Sequence, residues 1–127
     1  MKRGILDTSV IVAEEQGRPL AAVPDRAAIS IVTLAELELG VLLAVDAGTR
    51  SRRLGTLVRV REGARALPVD ARVASAFAAL VAELRQAGRS LGINDVWIGA
   101  TAIAHDAALY TQDSDFDGVP GLTVVRV

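Results

Sequence analysis

Arg3-Gly4-Ile5-Leu6-Asp7-Thr8-Ser9-Val10-Ile11-Val12 is the stretch that decides the fold. Arg3 to Leu6 is a short, mainly apolar run, and Asp7-Thr8-Ser9 is a triplet of residue types whose side chains cap helices. Val10 to Glu15 continues as a helical segment until Gly17-Arg18-Pro19 breaks it. The stretch predicts strand, turn and helix, with a carboxylate at the turn.

Outward from there the same alternation recurs. Ala27 to Ile31 is a second short strand, and Thr33 stands three positions before Glu36, the spacing of a capping box. Leu34, Leu37, Val41 and Leu42 follow at helical spacing, which predicts a helix from Thr33 to about Val45. Ala47 to about Gly63 reads as helix, and Ala66 to Val69 as a third strand. Asp70 caps a helix with Val73, Phe77, Leu80, Val81 and Leu84 on one face and Gly88 beyond its end. Asn94-Asp95 opens another, Val96 to His105, apolar nearly all round and so expected to be deeply buried. Ala108 to Thr111 is a fourth strand, and Leu122 to Val127 a fifth after the turn Gly118-Val119-Pro120-Gly121. Short apolar strands alternating with helices predict an α/β fold, a three-layer α/β/α sandwich around a central parallel sheet. A length of 127 residues fits one domain, residues 1–127, with no repeat or linker.

Composition narrows the chemistry. Aromatic residues are 3% against 51% hydrophobic, so aliphatic side chains must fill the core. The absence of cysteine excludes disulfides, cysteine-ligated zinc and thiol catalysis, and fits a reducing compartment. Asp7 interrupts the N-terminal apolar run before the roughly 7–15 residues a secretory signal needs. No stretch approaches the ~18 apolar residues of a membrane span. The expectation is a soluble, cytoplasmic protein with no membrane association. A net charge of −1 and a pI near 5.8 argue against binding nucleic acid by bulk positive charge. Lys2 is the only lysine. A mean hydropathy of +0.38 is high for a small monomer and fits a permanent partner or a homodimer.

In parallel α/β sheets, ligands bind outside the carboxyl ends of the strands. By that rule Asp7 ends the first strand, Glu36 lies one turn into the helix after the second, Asp95 starts the buried helix, and Asp113 and Asp115 follow the fourth strand. All five can face one edge. The other acids, Asp46, Asp70 and Glu83 among them, fall at helix ends or on polar faces. Carboxylates gathered in a small space repel unless a cation neutralises them, and oxygen ligands without His or Cys suit magnesium or manganese. Such an ion can activate water toward a phosphodiester and stabilise the leaving oxygen. Each acid alone also has an ordinary reading: Asp7 as N-cap, Glu36 as the capping-box partner of Thr33, Asp95 as a helix-dipole partner, and Asp113 to Asp117 as a solvated turn. The functional reading rests on their shared location.

At these residues the chain resembles the PIN-domain nucleases, and among them the VapC-type toxins of bacterial toxin–antitoxin pairs. The matching pieces are Ile5-Leu6-Asp7-Thr8-Ser9, Ser30-Ile31-Val32-Thr33-Leu34-Ala35-Glu36-Leu37, Ile93-Asn94-Asp95-Val96-Trp97-Ile98-Gly99-Ala100-Thr101-Ala102, and Leu109-Tyr110-Thr111-Gln112-Asp113-Ser114-Asp115-Phe116. They recur in family order across nearly the whole chain. The resemblance implies the toxin of a type II toxin–antitoxin module: an endoribonuclease that cleaves RNA with Mg2+ or Mn2+. It further implies a homodimer held inactive by a cognate antitoxin. Carried over by motif, Asp7, Glu36, Asp95 and Asp113 are the catalytic acids. Asp7, Asp95, Asp113 and Asp115 are metal ligands, with either Asp113 or Asp115 as the fourth, and Thr8 or Ser9 positions a water or a phosphate.

Rivals lack their residues. An aspartyl-phosphate phosphatase wants a second acid where this chain has Ser9, and both it and a phospho-receiver domain want a downstream lysine. No dinucleotide fingerprint follows the first strand, and no P-loop is present. His105, the sole histidine, stands at a helix C-terminus where it suits the dipole. Arg50, Arg52, Arg53, Arg59, Arg61 and Arg65 form either an RNA-binding stripe or a solvated helix face. Trp97 and Tyr110 read as core. The alternative from another class is a non-catalytic PIN-like binding module acting through dimer and antitoxin contacts.

Overall fold

The computed structural model describes residues 3–127. Five parallel strands, β1 (Arg3–Leu6), β2 (Arg26–Ser30), β3 (Arg65–Leu67), β4 (Ala108–Thr111) and β5 (Val124–Arg126), form one sheet in the order β3-β2-β1-β4-β5. Five α-helices connect them: α1 (Thr8–Glu15), α2 (Ile31–Leu42), α3 (Ala47–Gly63), α4 (Ala71–Gln86) and α5 (Ile93–Ala104). The chain winds from β1 outward to β3 and then returns across β1 to β4 and β5. Right-handed crossovers in opposite directions put the intervening helices on opposite faces. The three-layer α/β/α expectation holds. Among the described residues, no helix is long and apolar enough to cross a membrane.

The core sits between the sheet and α5. Ile5, Leu67 and Leu109 point to one face and meet Ile98 and Ala102 of α5 and the fully buried Phe116. The all-apolar reading of α5 is explained by its second neighbour. Its outer side packs on α4, where Val96 joins Leu80 and Leu84, and Trp97 stacks on Phe77 with centroids 3.7 Å apart. Trp97 is thus partly buried packing, as expected, and Tyr110 is buried in its strand.

On the opposite face Gly4 leaves no room for a side chain. A Cβ there would meet the Tyr110 ring at 2.5 Å and Pro24 at 2.8 Å, both on rigid rings. Gly4→Ala should cost about 1–3 kcal/mol by overpacking, read as a lowered midpoint in urea with unchanged slope.

Several element ends differ from the sequence reading: α5 spans Ile93–Ala104 rather than Val96 to His105, and α2 stops at Leu42 rather than about Val45. α2 begins at Ile31, capped by Ser30, whose hydroxyl accepts from the Val32 N–H at 3.0 Å. Thr33 is therefore the third helical residue and is fully buried, so it does not form the capping box with Glu36. β3 stops at Leu67 because Pro68 has no N–H to give a ladder. β5 is shorter than Leu122–Val127, since Gly118 and Gly121, both at positive φ, hold the preceding turn. Asp70 caps α4 as read, accepting from the Val73 N–H, and Asp46 caps α3 in the same way, accepting from the Thr49 N–H. Those hydrogen bonds hold both carboxyls below the usual range.

Candidate active site

The sheet reverses its winding direction at β1, so the helices leaving β1 and β4 diverge and open a crevice at the carboxyl ends of these strands. Asp7 stands there, at the N-cap position of α1 but with no capping hydrogen bond from its side chain. The ordinary reading of Asp7 is thereby removed. It is 4% exposed, and its Oδ2 instead accepts from Ser9 Oγ at 2.7 Å and Thr111 Oγ1 at 2.8 Å. Each hydroxyl is fixed from behind: Ser9 Oγ accepts from the Gln112 N–H at 3.0 Å, and Thr111 Oγ1 from the Asp113 N–H at 2.9 Å. Two hydroxyls therefore clamp a buried carboxylate and tie the β1 turn to the β4 turn. Ser9 spends its hydrogen bonds on this clamp.

Glu36 reaches the crevice from the first turns of α2. Its Oε1 accepts from Thr8 Oγ1 at 2.7 Å. Thr8 Oγ1 also lies 3.1 Å from Thr33 Oγ1. The single proton of Thr8 goes to the carboxylate, the stronger acceptor, and Thr33 backs the pair. Thr8 is thus a holder of Glu36.

Asp95 comes from the first turn of α5, where the end of the helix favours an anion. Asp113 and Asp115 come from the turn after β4, which closes into a short 3-10 helix at Ser114–Phe116. Asp113 Oδ1 caps it, accepting from the Asp115 N–H at 2.8 Å. Asp95, Asp113 and Asp115 each offer an oxygen within 4.8 Å of the other two. Asp7 lies outside that tight trio. Burial pushes the Asp95 carboxyl up to about 6, helped by the charges of Asp7, Asp113, Glu36 and Asp115. One group thus feels all four of the other predicted acids, and the five form one electrostatic unit. The turn brings both Asp113 and Asp115 to Asp95.

The predicted arginine run divides. Arg50 and Arg53 donate to the Ala44 and Gly40 carbonyls, Arg59 donates to Thr56, and Arg61 pairs with Glu38. Arg52 and Arg53 line a cavity of about 270 Å³ that also contains Thr8 and Glu36, so these two border the crevice. Arg65 lies at the other end of the sheet. Two residues escaped the sequence reading, Thr111 and Thr33. Thr111 stood in the quoted fourth piece only as a strand end, and its partner is 104 positions away.

A carboxylate cluster with no nitrogen or sulfur ligand is a site for a hard divalent cation. The trio fits one, since its oxygens are spaced to share an ion and its crowding leaves Asp95 in need of neutralisation.

Comparison with known proteins agrees with this geometry. Residues 4–122 match the PIN domain family. Ribonuclease VapC5 of Mycobacterium tuberculosis is 45% identical over 98% of this chain and 95% of its own length. Ribonuclease VapC4 of the same organism is 40% identical over 100% and 98%. Among solved structures, VapBC-5 of Mycobacterium tuberculosis, a member of the VapBC family of toxin–antitoxin systems, superposes with a TM-score of 0.89. It is 42% identical and matches the full length of both chains. VapBC2 of Rickettsia felis, solved on a DNA fragment from their promoter, gives 0.84 at 25% identity over 98% of each chain. The chain belongs to the PIN-domain family, and the relatives it matches along almost its whole length are VapC ribonucleases.

Proposed function

We propose that this chain is the toxin of a type II toxin–antitoxin module, a divalent-metal-dependent endoribonuclease that hydrolyses RNA phosphodiester bonds. The observation that carries this reading is the convergence of Asp95, Asp113 and Asp115 on one 4.8 Å neighbourhood beside Asp7 and Glu36. Relatives named ribonucleases and solved neighbours that are toxin–antitoxin complexes support it.

Asp95, Asp113 and Asp115 would hold Mg2+ or Mn2+, with Asp7 offering its uncommitted Oδ1 from the clamp of Ser9 and Thr111. When bound, the ion supplies charge neutralisation, water activation and stabilisation of the leaving oxygen. Ser9 and Thr111 hold the Asp7 carboxylate in one rotamer through the two hydrogen bonds they donate to it. Thr8 holds Glu36 where its carboxylate can orient a water and take up a proton. Arg52 and Arg53, on the cavity next to Glu36, are placed to meet the flanking phosphates that the acids repel. Loss of an acid should therefore remove turnover more than RNA affinity.

Exposed Leu39, Leu42 and Leu43 of α2 and its end, with Val45, Leu54 and Val58, leave an apolar surface suited to a protein partner. A cognate antitoxin and a homodimer, acting in the cytoplasm on a single domain spanning residues 1–127, complete the proposal. Expression of the chain alone in a bacterial host should arrest growth and cut RNA, and Asp7→Asn should relieve both. Arrest and cleavage that persist in Asp7→Asn would refute the mechanism. A non-catalytic module would leave the host RNA intact.

A further inference from the structure

The end of the sheet remote from the acids carries a feature the nuclease chemistry does not use. Arg3 of β1 is in register with Arg26 of β2, and Ala28 of β2 with Arg65 of β3. Side chains alternate along a strand, so Arg3, Arg26 and Arg65 project from one face, the face that Ile5 and Leu67 present to α5. α5 ends at Ala104 with His105 as its C-cap. A cavity of about 570 Å³ remains, twice the volume of the one beside Glu36. The three arginines and His105 line it over a floor of Ile5 and Leu67, and Asp25 is the one acid of the lining.

Two observations say that this is more than a gap. Among the described residues, none of the three arginines has an ion pair or hydrogen-bond partner, whereas Arg61, Arg126 and Arg52 each pair with an acid. His105 Nε2 is the one buried side-chain nitrogen or oxygen among them left without any partner. A buried polar atom without a partner is costly and calls for one. The three positive charges are exposed, hence free to close on a ligand. Planar guanidinium forks match phosphate oxygens in pairs, the apolar floor suits a flat organic group, and the volume lies in the range of small-molecule sites.

We propose that the Arg3–Arg26–Arg65 cavity is a second binding site, for a phosphorylated small molecule of nucleotide size held by the three guanidinium groups. β1 separates it from Asp7 by four residues, about 13 Å at the rise of a strand. Its ligand is therefore distinct from an RNA phosphate at the acids, and the proposal stands whether or not the chain cleaves RNA. The competing explanation is that the arginines only offset the carbonyl ends of α3 and α5.

The test is calorimetric titration of the whole protein in EDTA with 5′-AMP and, separately, with inorganic phosphate. EDTA removes any ion that could draw phosphate to the acids. AMP should bind with a dissociation constant at or below about 1 mM, and the Arg26→Gln/Arg65→Gln double variant should weaken it by about tenfold or more. Asp95→Asn should leave it unchanged. Comparable binding of inorganic phosphate would locate the recognition in the phosphate, and much weaker binding would show that the apolar floor contributes; both uphold the site. Should the double variant fail to fold, Arg65→Gln alone, at an exposed position, serves with the chemical shift of the His105 ring as readout. No heat from either probe up to about 10 mM, or binding that these substitutions leave intact, would overturn the proposal.

Discussion

Asp95→Asn should stabilise the metal-free chain at neutral pH while removing its activity. The Asp95 carboxyl sits at about 6 against an ordinary 3.8, so the fold favours its protonated form. A raised carboxyl contributes its stabilisation fully below pH 3.8 and loses it as pH rises through 6. At neutral pH the ionised group is a liability. A shift of that size corresponds to at most ~3 kcal/mol, and solvent screening of this partly exposed group leaves about 1–2 kcal/mol. Asparagine keeps the shape and removes the charge, so Tm in EDTA should rise by about 5 °C at neutral pH and converge with the wild type near pH 4. Adding magnesium or manganese should raise the wild-type Tm and leave the variant unmoved, because an ion stabilises only the state that binds it. Cleavage should fall by about 10²–10³, the equivalent of several kcal/mol of lost charge stabilisation. A variant less stable than the wild type in EDTA at neutral pH would mean that crowding does not govern the cluster.

Phe116→Ala should be the most damaging substitution outside the acids. Phe116 is fully buried, and it anchors the turn that carries Asp113 and Asp115 into the core formed by Ile5, Ile98 and Leu109. Truncation of a buried phenylalanine costs about 3–5 kcal/mol, measurable as a fall in the urea midpoint. The turn would also lose its anchor while keeping both acids, so the affinity for manganese should fall together with stability. Phe116→Leu, which refills most of the volume, should recover the greater part of both. A loss below about 1 kcal/mol would show that the turn is held otherwise. Arg89, donating to the Asp115 and Asp117 carbonyls at 2.8 and 2.6 Å, is the remaining candidate for that role.

The fold was legible because its signals are local. Strand runs such as Ile5-Leu6 and Leu109-Tyr110 are short and apolar, α4 carries its stripe from Val73 to Leu84, and Asp70 caps where it stands. The strand-end rule then gathered Asp7, Glu36, Asp95, Asp113 and Asp115 without knowledge of any distance. What remained hidden depends on contacts between distant residues. Ser30 and Thr33 are equally good caps by residue type, and only the path of the chain leaving β2 selects Ser30 and turns Thr33 inward behind Thr8. Thr111 meets Asp7 across the β1–β4 pairing, which no local pattern encodes. The helix-dipole account of His105 was incomplete, since it does not foresee a buried Nε2 without a partner. The arginine run looked like one feature in sequence, yet the helix turns Arg53 toward the crevice and Arg61 toward Glu38, and the chain carries Arg65 to the far edge.

The central claim is that the acid cluster hydrolyses RNA by holding a divalent ion. The direct measurement is cleavage of a defined RNA by the purified chain, stripped in EDTA and then titrated with magnesium or manganese. Cleavage should be absent in EDTA, rise with the ion to a plateau, and stay about 10²–10³-fold below that plateau in Asp95→Asn at every ion concentration. Hydrolysis that proceeds in EDTA, or that Asp95→Asn leaves within about tenfold of the wild type, would contradict it.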